Sequence, residues 1–187
     1  MIGNKIVLAA ALAIALTGCG SSPPAPTDRF YRLQAAPVGG NTSIPKHTLR
    51  SVRADSLYAE RPIVHVRKDD PRQLRQYHYH LWLYPPADTV RDFLTTSLGS
   101  GREGDLQLDV RVTGFERVID GTASLAQAEL QVVASGPGGV VFERRYTAKE
   151  MARDESFSAF AAAMESALRT ISNQLAGDLQ RGASASR

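Results

Sequence analysis

The sequence has a single cysteine, Cys19, among its 187 residues. One cysteine cannot form a disulfide within the chain, and small domains that depend on disulfides carry their cysteines in larger, even numbers. The stability of the protein must therefore come from a hydrophobic core, which a chain of ordinary single-domain length is able to build. The position of Cys19 decides what other chemistry its thiol performs.

Neither sign of charge is in large excess, because 22 lysines and arginines face 19 aspartates and glutamates, for a formal net charge of +3. The basic residues form no dense stripe of the kind that follows a nucleic-acid backbone. Nucleic acid is therefore not an expected partner.

No apolar run reaches the roughly 20 residues that a helix needs to cross a ~30 Å hydrocarbon core. The N-terminal run, Ile6 to Leu16, has eleven residues and follows one positive charge, Lys5. A short apolar run between a basic residue and small residues is typical of a secretory signal. Residues 1–18 are therefore predicted to be a signal peptide.

The predicted signal ends in Leu16-Thr17-Gly18-Cys19, and all four positions fit the bacterial lipobox. Small residues before the cleavage point fit a narrow peptidase site, and a cysteine thiol is the nucleophile that takes a diacylglyceryl group. An ordinary signal with an incidental cysteine is the alternative. We predict lipidation of Cys19, because the sole cysteine occupies the one position that the motif requires. By resemblance to enteric sorting rules, Gly20 in place of aspartate favours the outer membrane.

The rest of the chain is predicted to divide into three segments. Residues 19–28 are rich in proline and serine and lack apolar periodicity, so they are predicted to be an extended, lipidated tether. Two or three acyl chains would anchor it firmly, since each buried methylene contributes ~0.8 kcal/mol. Residues 29–181 are predicted to form one domain, and residues 182–187 a frayed tail.

The chain lacks the short motifs of common enzyme classes, namely GxSxG, the P-loop, GxGxxG and HExxH. Its glycine-rich segment, Gly136-Pro-Gly-Gly139, has neither the lysine nor the following helix that a phosphate cradle needs. We therefore predict no catalytic residue, no cofactor and no enzymatic activity, with a hydrolase or metalloprotein as the less favoured alternative.

His78 and His80 are the candidates for a metal site. Strand alternation would place them on one face, about 6.6–6.8 Å apart along the strand, with Trp82 beside them and Tyr77 on the other face. A catalytic zinc needs a third protein ligand and an open position, and the sequence points to no third ligand. We predict no metal, and we interpret the stretch as a polar-aromatic strand face, structural or at a contact surface.

Alternation of apolar and polar residues predicts the sheet. Short strands are predicted at 29–33, 48–53 and 63–67, a further strand at 77–84, and a three-stranded meander at 106–112, 126–134 and 140–147. Gly114 is predicted to mark a bulge or bend, and Asp120-Gly121 a hairpin turn.

Apolar spacings of three and four predict two helices. Residues 86–98 follow a proline pair and end before Gly99. Residues 156–180 carry the stronger pattern, with Ser156 as N-cap and a stripe of Phe157, Phe160, Met164, Leu168, Ile171, Leu175 and Leu179. This stripe is predicted to be core, with a lipid-binding or partner-binding face as the alternative. The fold class is therefore α/β: one domain with a mixed or mainly antiparallel sheet packed by these helices.

The order of several short motifs resembles the ABC-type transport auxiliary lipoproteins, the PqiC-type family. After the lipobox cysteine come Phe30-Tyr31-Arg32-Leu33, then Arg61-Pro62-Ile63-Val64 with Arg67, then Tyr77 to Trp82 leading into Pro85-Pro86-Ala87 and a helix. The resemblance covers most of the chain after the signal. The His-Tyr-His before Leu81-Trp82 departs from the family pattern.

The resemblance implies a non-enzymatic periplasmic accessory with a compact α/β domain. Such lipoproteins accompany ABC permease and ATPase complexes with MCE-domain proteins, which move phospholipids or other hydrophobic molecules between the inner and outer membranes. Cys19 is the one functional residue of the family that the resemblance assigns in this sequence. A lipoprotein that regulates a peptidoglycan synthase or another envelope assembly machine stays open as the alternative.

Overall fold

Seven strands form one mixed sheet that does not close on itself, and two helices pack on one of its faces. A computed structural model describes residues 25–38, 44–99 and 106–185. The strands are β1 Arg29–Tyr31, β2 His47–Ala54, β3 Pro62–Arg67, β4 Asp70–Trp82, β5 Leu106–Asp120, β6 Ala123–Gly136 and β7 Gly139–Met151. The helices are α1 Pro86–Leu98 and α2 Phe157–Ala185, and a 3-10 helix covers Ser56–Ala59. The predicted α/β class with a mixed sheet and two helices is confirmed.

The long strand β5 organises the sheet. One of its edges pairs with β6 along its full length, in antiparallel register. The other edge is shared, because β2 pairs in parallel with residues 106–112 and β3 pairs in parallel with residues 116–119. The register shifts between Val112 and Gly114, which confirms the predicted bulge. A side chain at Gly114 would place its Cβ 3.1 Å from the Cβ of Glu129, so any other residue there would require Glu129 to shift by a few tenths of an ångström.

The meander of β5, β6 and β7 buries one face under the helices. Alternate residues of β6 are fully buried, from Ala126 to Ala134, as the sequence pattern predicts. The hairpin after β5 turns at Gly121, which has a φ of 61°. All three strands extend beyond their predicted ends, because pairing continues past the last alternating residue.

Helix α1 begins and ends where the sequence predicts. Pro86 occupies its first turn, where its missing N–H costs nothing, and Gly99 closes it in the left-handed conformation with a φ of 67°. Val90, Phe93 and Leu94 face the core.

Helix α2 supplies most of the second layer. Its predicted stripe is core: Phe160, Met164, Leu168, Ile171, Leu175 and Leu179 are each fully buried. The Ser156 hydroxyl accepts a 3.1 Å hydrogen bond from the amide of Ala159, so the predicted N-cap is confirmed. The helix continues to Ala185, five residues beyond its predicted end at 180. Within the described residues, no helix is long and apolar enough to cross a membrane.

Strand β4 differs from the prediction. It begins at Asp70, seven residues before its predicted start at 77, and ends at Trp82, two residues before its predicted end at 84. Opposite β3, Pro62 pairs with Leu81 and Val64 pairs with Gln76, so residues 77–80 face the single residue Ile63. The regular alternation predicted for this stretch is therefore broken, because the extra residues of an irregular pairing change which face the next side chain occupies.

A buried carboxylate joins helix α2 to β7. Asp178 accepts hydrogen bonds from Arg144 and from the Tyr146 hydroxyl, both at 2.7 Å, and from Arg181. Burial alone would raise the pKa of Asp178, but these hydrogen bonds and the charges of Arg144 and Arg181 outweigh it, so the pKa lies below its usual range.

We expect Asp178→Asn to lower the free energy of unfolding by about 1–3 kcal/mol at neutral pH, because the variant removes the charged acceptor of the buried Tyr146 hydroxyl and of two arginines. Since the folded-state pKa is depressed, this stability is present above the unfolded pKa of about 3.9 and is lost as pH falls through the folded pKa. Urea unfolding of both proteins should show their difference shrinking below about pH 4. Asp69→Asn, at a pair with Arg67 in which both side chains are mostly exposed, is the matched control and should change little. A difference that persists unchanged at low pH would contradict this account.

Candidate functional site

The predicted lipidation site lies outside the described residues. Cys19, the signal peptide 1–18 and the first part of the tether precede residue 25. Residues 25–28 are exposed and lead directly into β1. The attachment of β1 to the domain is therefore the part of the anchor region that can be examined residue by residue.

Strand β1 is the edge strand of the sheet and is held along one side, by β4 and the residue that follows β4. It pairs in parallel with β4, so that Arg29 lies opposite His80 and Tyr31 opposite Trp82. The Leu83 amide donates a 2.7 Å hydrogen bond to the Tyr31 carbonyl, which continues the attachment past the end of β4.

An aromatic cluster ties this edge to helix α2. The rings of Tyr31, Tyr77 and His80 all contact Phe157, at centroid distances of 5.6, 4.7 and 3.6 Å. Arg117, nearly buried, places its guanidinium carbon 4.7 Å from the centre of the same ring and donates a 2.6 Å hydrogen bond to the Glu155 carbonyl. Because aromatic and cation–π contacts each add to the burial of these rings, the cluster fixes the tether's entry point against the start of α2.

The two candidate metal ligands, His78 and His80, lie in different surroundings. The predicted alternation put Tyr77 and His80 on opposite faces, whereas both contact Phe157. His80 also hydrogen-bonds through Nδ1 to the Tyr31 hydroxyl at 2.9 Å, while His78 is exposed and contacts the ring of Tyr79. Among the described residues, no group of three or more His, Cys, Asp or Glu side chains is placed to hold a metal ion. The prediction that Tyr77 and His80 lie on opposite faces is wrong, because of the irregular β4 pairing.

The neutral form of His80 suits this environment. Burial, with smaller contributions from the charges of Arg29 and Arg117, lowers the pKa of His80. Burial likewise lowers the pKa of His65, which stacks on Tyr77 at 4.1 Å. Both rings therefore act as packing groups that titrate below the usual range of histidine.

We expect His80→Ala to lower the free energy of unfolding by about 1–3 kcal/mol, since it removes a stacked aromatic pair and a hydrogen bond. Because the folded-state pKa is lowered, this contribution is present above about pH 6.5 and is lost as pH falls through the folded value. His78→Ala is the matched control and should leave thermal unfolding unchanged. Equal effects of the two substitutions, or a stoichiometric metal ion lost in both variants, would revive the metal hypothesis.

The sheet face opposite the helices carries paired charges. Asp109 accepts hydrogen bonds from Arg50 and from Ser51, and Arg111 donates a 2.6 Å hydrogen bond to Asp55. These side chains line a shallow depression of about 610 Å³ on β2, β5 and β6. A surface of this kind suits a polar partner and offers an acyl chain little to bind.

A buried carboxyl group lies beside the bulge on this face. Glu116 accepts hydrogen bonds from the Tyr58 hydroxyl and, at 3.0 Å, from the Gln127 amide. Burial raises the pKa of Glu116; the hydrogen bond from Tyr58 opposes this, and the charge of Glu129 adds to it. Tyr58 belongs to the 3-10 helix that connects β2 to β3, the two strands that share one edge of β5. The Glu116 carboxyl therefore attaches this connection to β5. No sequence pattern predicted this contact.

Comparison with protein families decides the membership of the chain. Residues 31–176 match the family model described as the ABC-type transport auxiliary lipoprotein component. The chain belongs to this family. The match begins at Tyr31, in the strand that follows the tether, and ends within helix α2, so the auxiliary lipoprotein family covers every strand from β2 to β7.

Solved structures agree on the fold of this auxiliary lipoprotein. Protein XCC0632 from Xanthomonas campestris, of the family model DUF330, aligns with a TM-score of 0.72 at 21% identity, over 84% of this chain and 98% of that one. An uncharacterised protein aligns with a TM-score of 0.65 at 16% identity, over 82% and 99% of the two chains. No curated protein matches the chain. At these identities the similarity establishes a common fold, and the functional assignment comes from the family.

Proposed function

We propose that the protein is a periplasmic lipoprotein, anchored through acylated Cys19, that serves as a non-catalytic auxiliary component of an ABC transporter working with an MCE-domain protein. The transported substrate is phospholipid or another hydrophobic molecule moving between the inner and outer membranes, and the outer membrane is the favoured site of the anchor. The observation that carries this proposal is the family match over residues 31–176. The lipobox at 16–19 supports the anchor.

The geometry supports a binding role rather than a catalytic one. His65 and His80 act as packing groups, and the charged groups of the open sheet face are mostly engaged with one another. Such a face is prepared for a polar protein partner, since its charges are already fixed in position before contact. Bound lipid would then be carried by the partners, while this domain positions them.

Genetic epistasis tests the proposal in the cell. Deletion of the gene for this protein and deletion of the gene for the ABC permease should give the same defect in outer-membrane integrity, and the double deletion should add nothing further. Complementation with the wild-type chain should restore the barrier. A defect that adds to that of the permease deletion, or that matches the loss of a peptidoglycan synthase, would overturn the transporter assignment in favour of the envelope-assembly alternative.

A further inference from the structure

Four large apolar side chains are exposed together where the chain enters the domain. Phe30, Tyr79, Leu83 and Tyr84, here called the β1 patch, have exposed fractions of 50%, 44%, 37% and 55%. Phe30 lies opposite Leu81 across the β1–β4 pairing, two residues from both Tyr79 and Leu83. Leu83 and Tyr84 line one cleft of about 260 Å³ that extends to helix α1. The patch therefore surrounds the first residues of the folded domain.

The patch is held outward and bordered by cations. The guanidinium carbon of Arg61 lies 4.9 Å from the centre of the Phe30 ring, and its Nε donates a 3.2 Å hydrogen bond to the Trp82 carbonyl. Arg29 and Arg32 are exposed on either side of Phe30 and Tyr31. The acidic groups nearest in the chain and cleft are Asp28 and Asp92. Aromatic side chains ringed by arginines match the boundary between phospholipid headgroups and acyl chains.

The length of the tether indicates which surface covers the patch. Nine residues, 20–28, separate Cys19 from Arg29. Fully extended, the ten residue steps from Cys19 to Arg29 span at most about 36 Å, so β1 cannot move farther than that from an anchor at Cys19. Among the described residues, the other large apolar side chains that are exposed are Leu74 on β4, the neighbour of β1, and Val140 and Met151 on β7, at the far end of the strand order from β1. Of the two edges of the sheet, the β1 edge is therefore the one kept beside the bilayer.

We propose that the β1 patch docks on the phospholipid surface that carries the anchor, with Phe30, Tyr79, Leu83 and Tyr84 at the headgroup boundary and the arginines on lipid phosphates. This proposal rests on the proposed acylation of Cys19. Docking fixes the orientation of the domain, with the β1 edge on the membrane and β7 directed away from it. The charged sheet face then stands beside the membrane, accessible to a partner.

Footprinting on vesicles tests the docking. In the part of the chain that the structure describes, the buried core side chains lie between Tyr58 and Leu179, and a chain of residues 19–187 keeps all of them. Cys19, its only thiol, is coupled either to a maleimide lipid in phosphatidylethanolamine–phosphatidylglycerol vesicles or to a soluble maleimide. Hydroxyl-radical oxidation of each side chain is then read by mass spectrometry. We expect oxidation of the β1 patch to fall several-fold on vesicles, while Val140 and Met151, exposed by 67% and 71%, keep their rates.

Equal rates on vesicles and in solution, or equal protection at both edges of the sheet, would overturn the docking. A variant with Leu83→Ser and Tyr84→Ser should lose the protection of Phe30 and Tyr79 and keep the wild-type melting temperature, because both replaced side chains are exposed. Protection that survives in this variant would also contradict the proposal. Since the anchor is supplied chemically, the result does not depend on acylation in the cell, which the mass of the Cys19 peptide from envelopes reports separately.

Discussion

Cys19→Ala is expected to move nearly all of the protein from washed membranes into the soluble periplasmic fraction. Two or three acyl chains contribute ~0.8 kcal/mol per buried methylene, whereas side chains of the β1 patch alone give a weak, reversible contact. The fold should be unchanged, because the core begins at Tyr58 and the tether separates it from the anchor. Fractionation with immunodetection measures the distribution, and circular dichroism of the purified variant checks the fold.

The Cys19→Ala variant is best exported with a signal peptide that the general signal peptidase removes. Otherwise the uncleaved apolar run at 6–16 could itself hold the variant in the membrane. The wild-type chain with its own signal peptide and lipobox is the control. Retention of the processed variant in washed membranes, in a strain that also lacks the transporter, would show that acylation of Cys19 is not the anchor.

Leu168→Ala should lower the free energy of unfolding by about 2–5 kcal/mol, through lost transfer energy and the cavity that remains. Leu168 is fully buried near the middle of helix α2, within the apolar stripe that packs on the sheet. For a chain of this size the loss corresponds to a decrease in melting temperature of at least about 4 °C. Thermal unfolding of residues 19–187 measures it directly.

Gln174→Ala, at an exposed position of the same helix, is the matched control and should change the melting temperature by less than about a degree. If α2 were instead a docking face, Leu168→Ala would leave the melting temperature at the wild-type value and abolish association with the transporter. Both quantities measured on one variant therefore separate a core helix from a partner-binding helix.

The regular elements of the fold were predictable because each has a uniform environment. Helix α2 buries one stripe over its whole length, so its apolar residues recur at spacings of three and four. The strands β5 and β6 bury one face under the helices and expose the other, so their residues alternate. Gly99 marks the end of helix α1 for a conformational reason, its left-handed backbone, that does not depend on distant partners.

The missed features all depend on contacts between distant segments. The irregular pairing of residues 77–80 with Ile63 is set by β3, and without it Tyr77 and His80 would not both reach Phe157. Likewise, the division of one edge of β5 between β2 and β3 brings Tyr58 to Glu116. A strand's own residues do not encode its register against a partner that lies far away in the chain.

The candidate site also has parts that could be predicted from sequence and parts that could not. The lipobox and the family order of motifs could be found from sequence, because they are local strings of residues. The clustering of Phe30 with Tyr79 and Tyr84 could not, since these residues meet only through the parallel pairing of β1 with β4.

Affinity purification of the acylated protein from detergent-solubilised envelopes, with quantitative mass spectrometry, tests the central claim most directly. The protein carries a C-terminal tag, and an equally abundant outer-membrane lipoprotein of unrelated function, tagged in the same way, gives the background. The account predicts recovery of an ABC permease, its ATPase and an MCE-domain protein in similar amounts, well above that background. Recovery of a peptidoglycan synthase or another assembly machine in their place, with the transporter subunits at background, would contradict it.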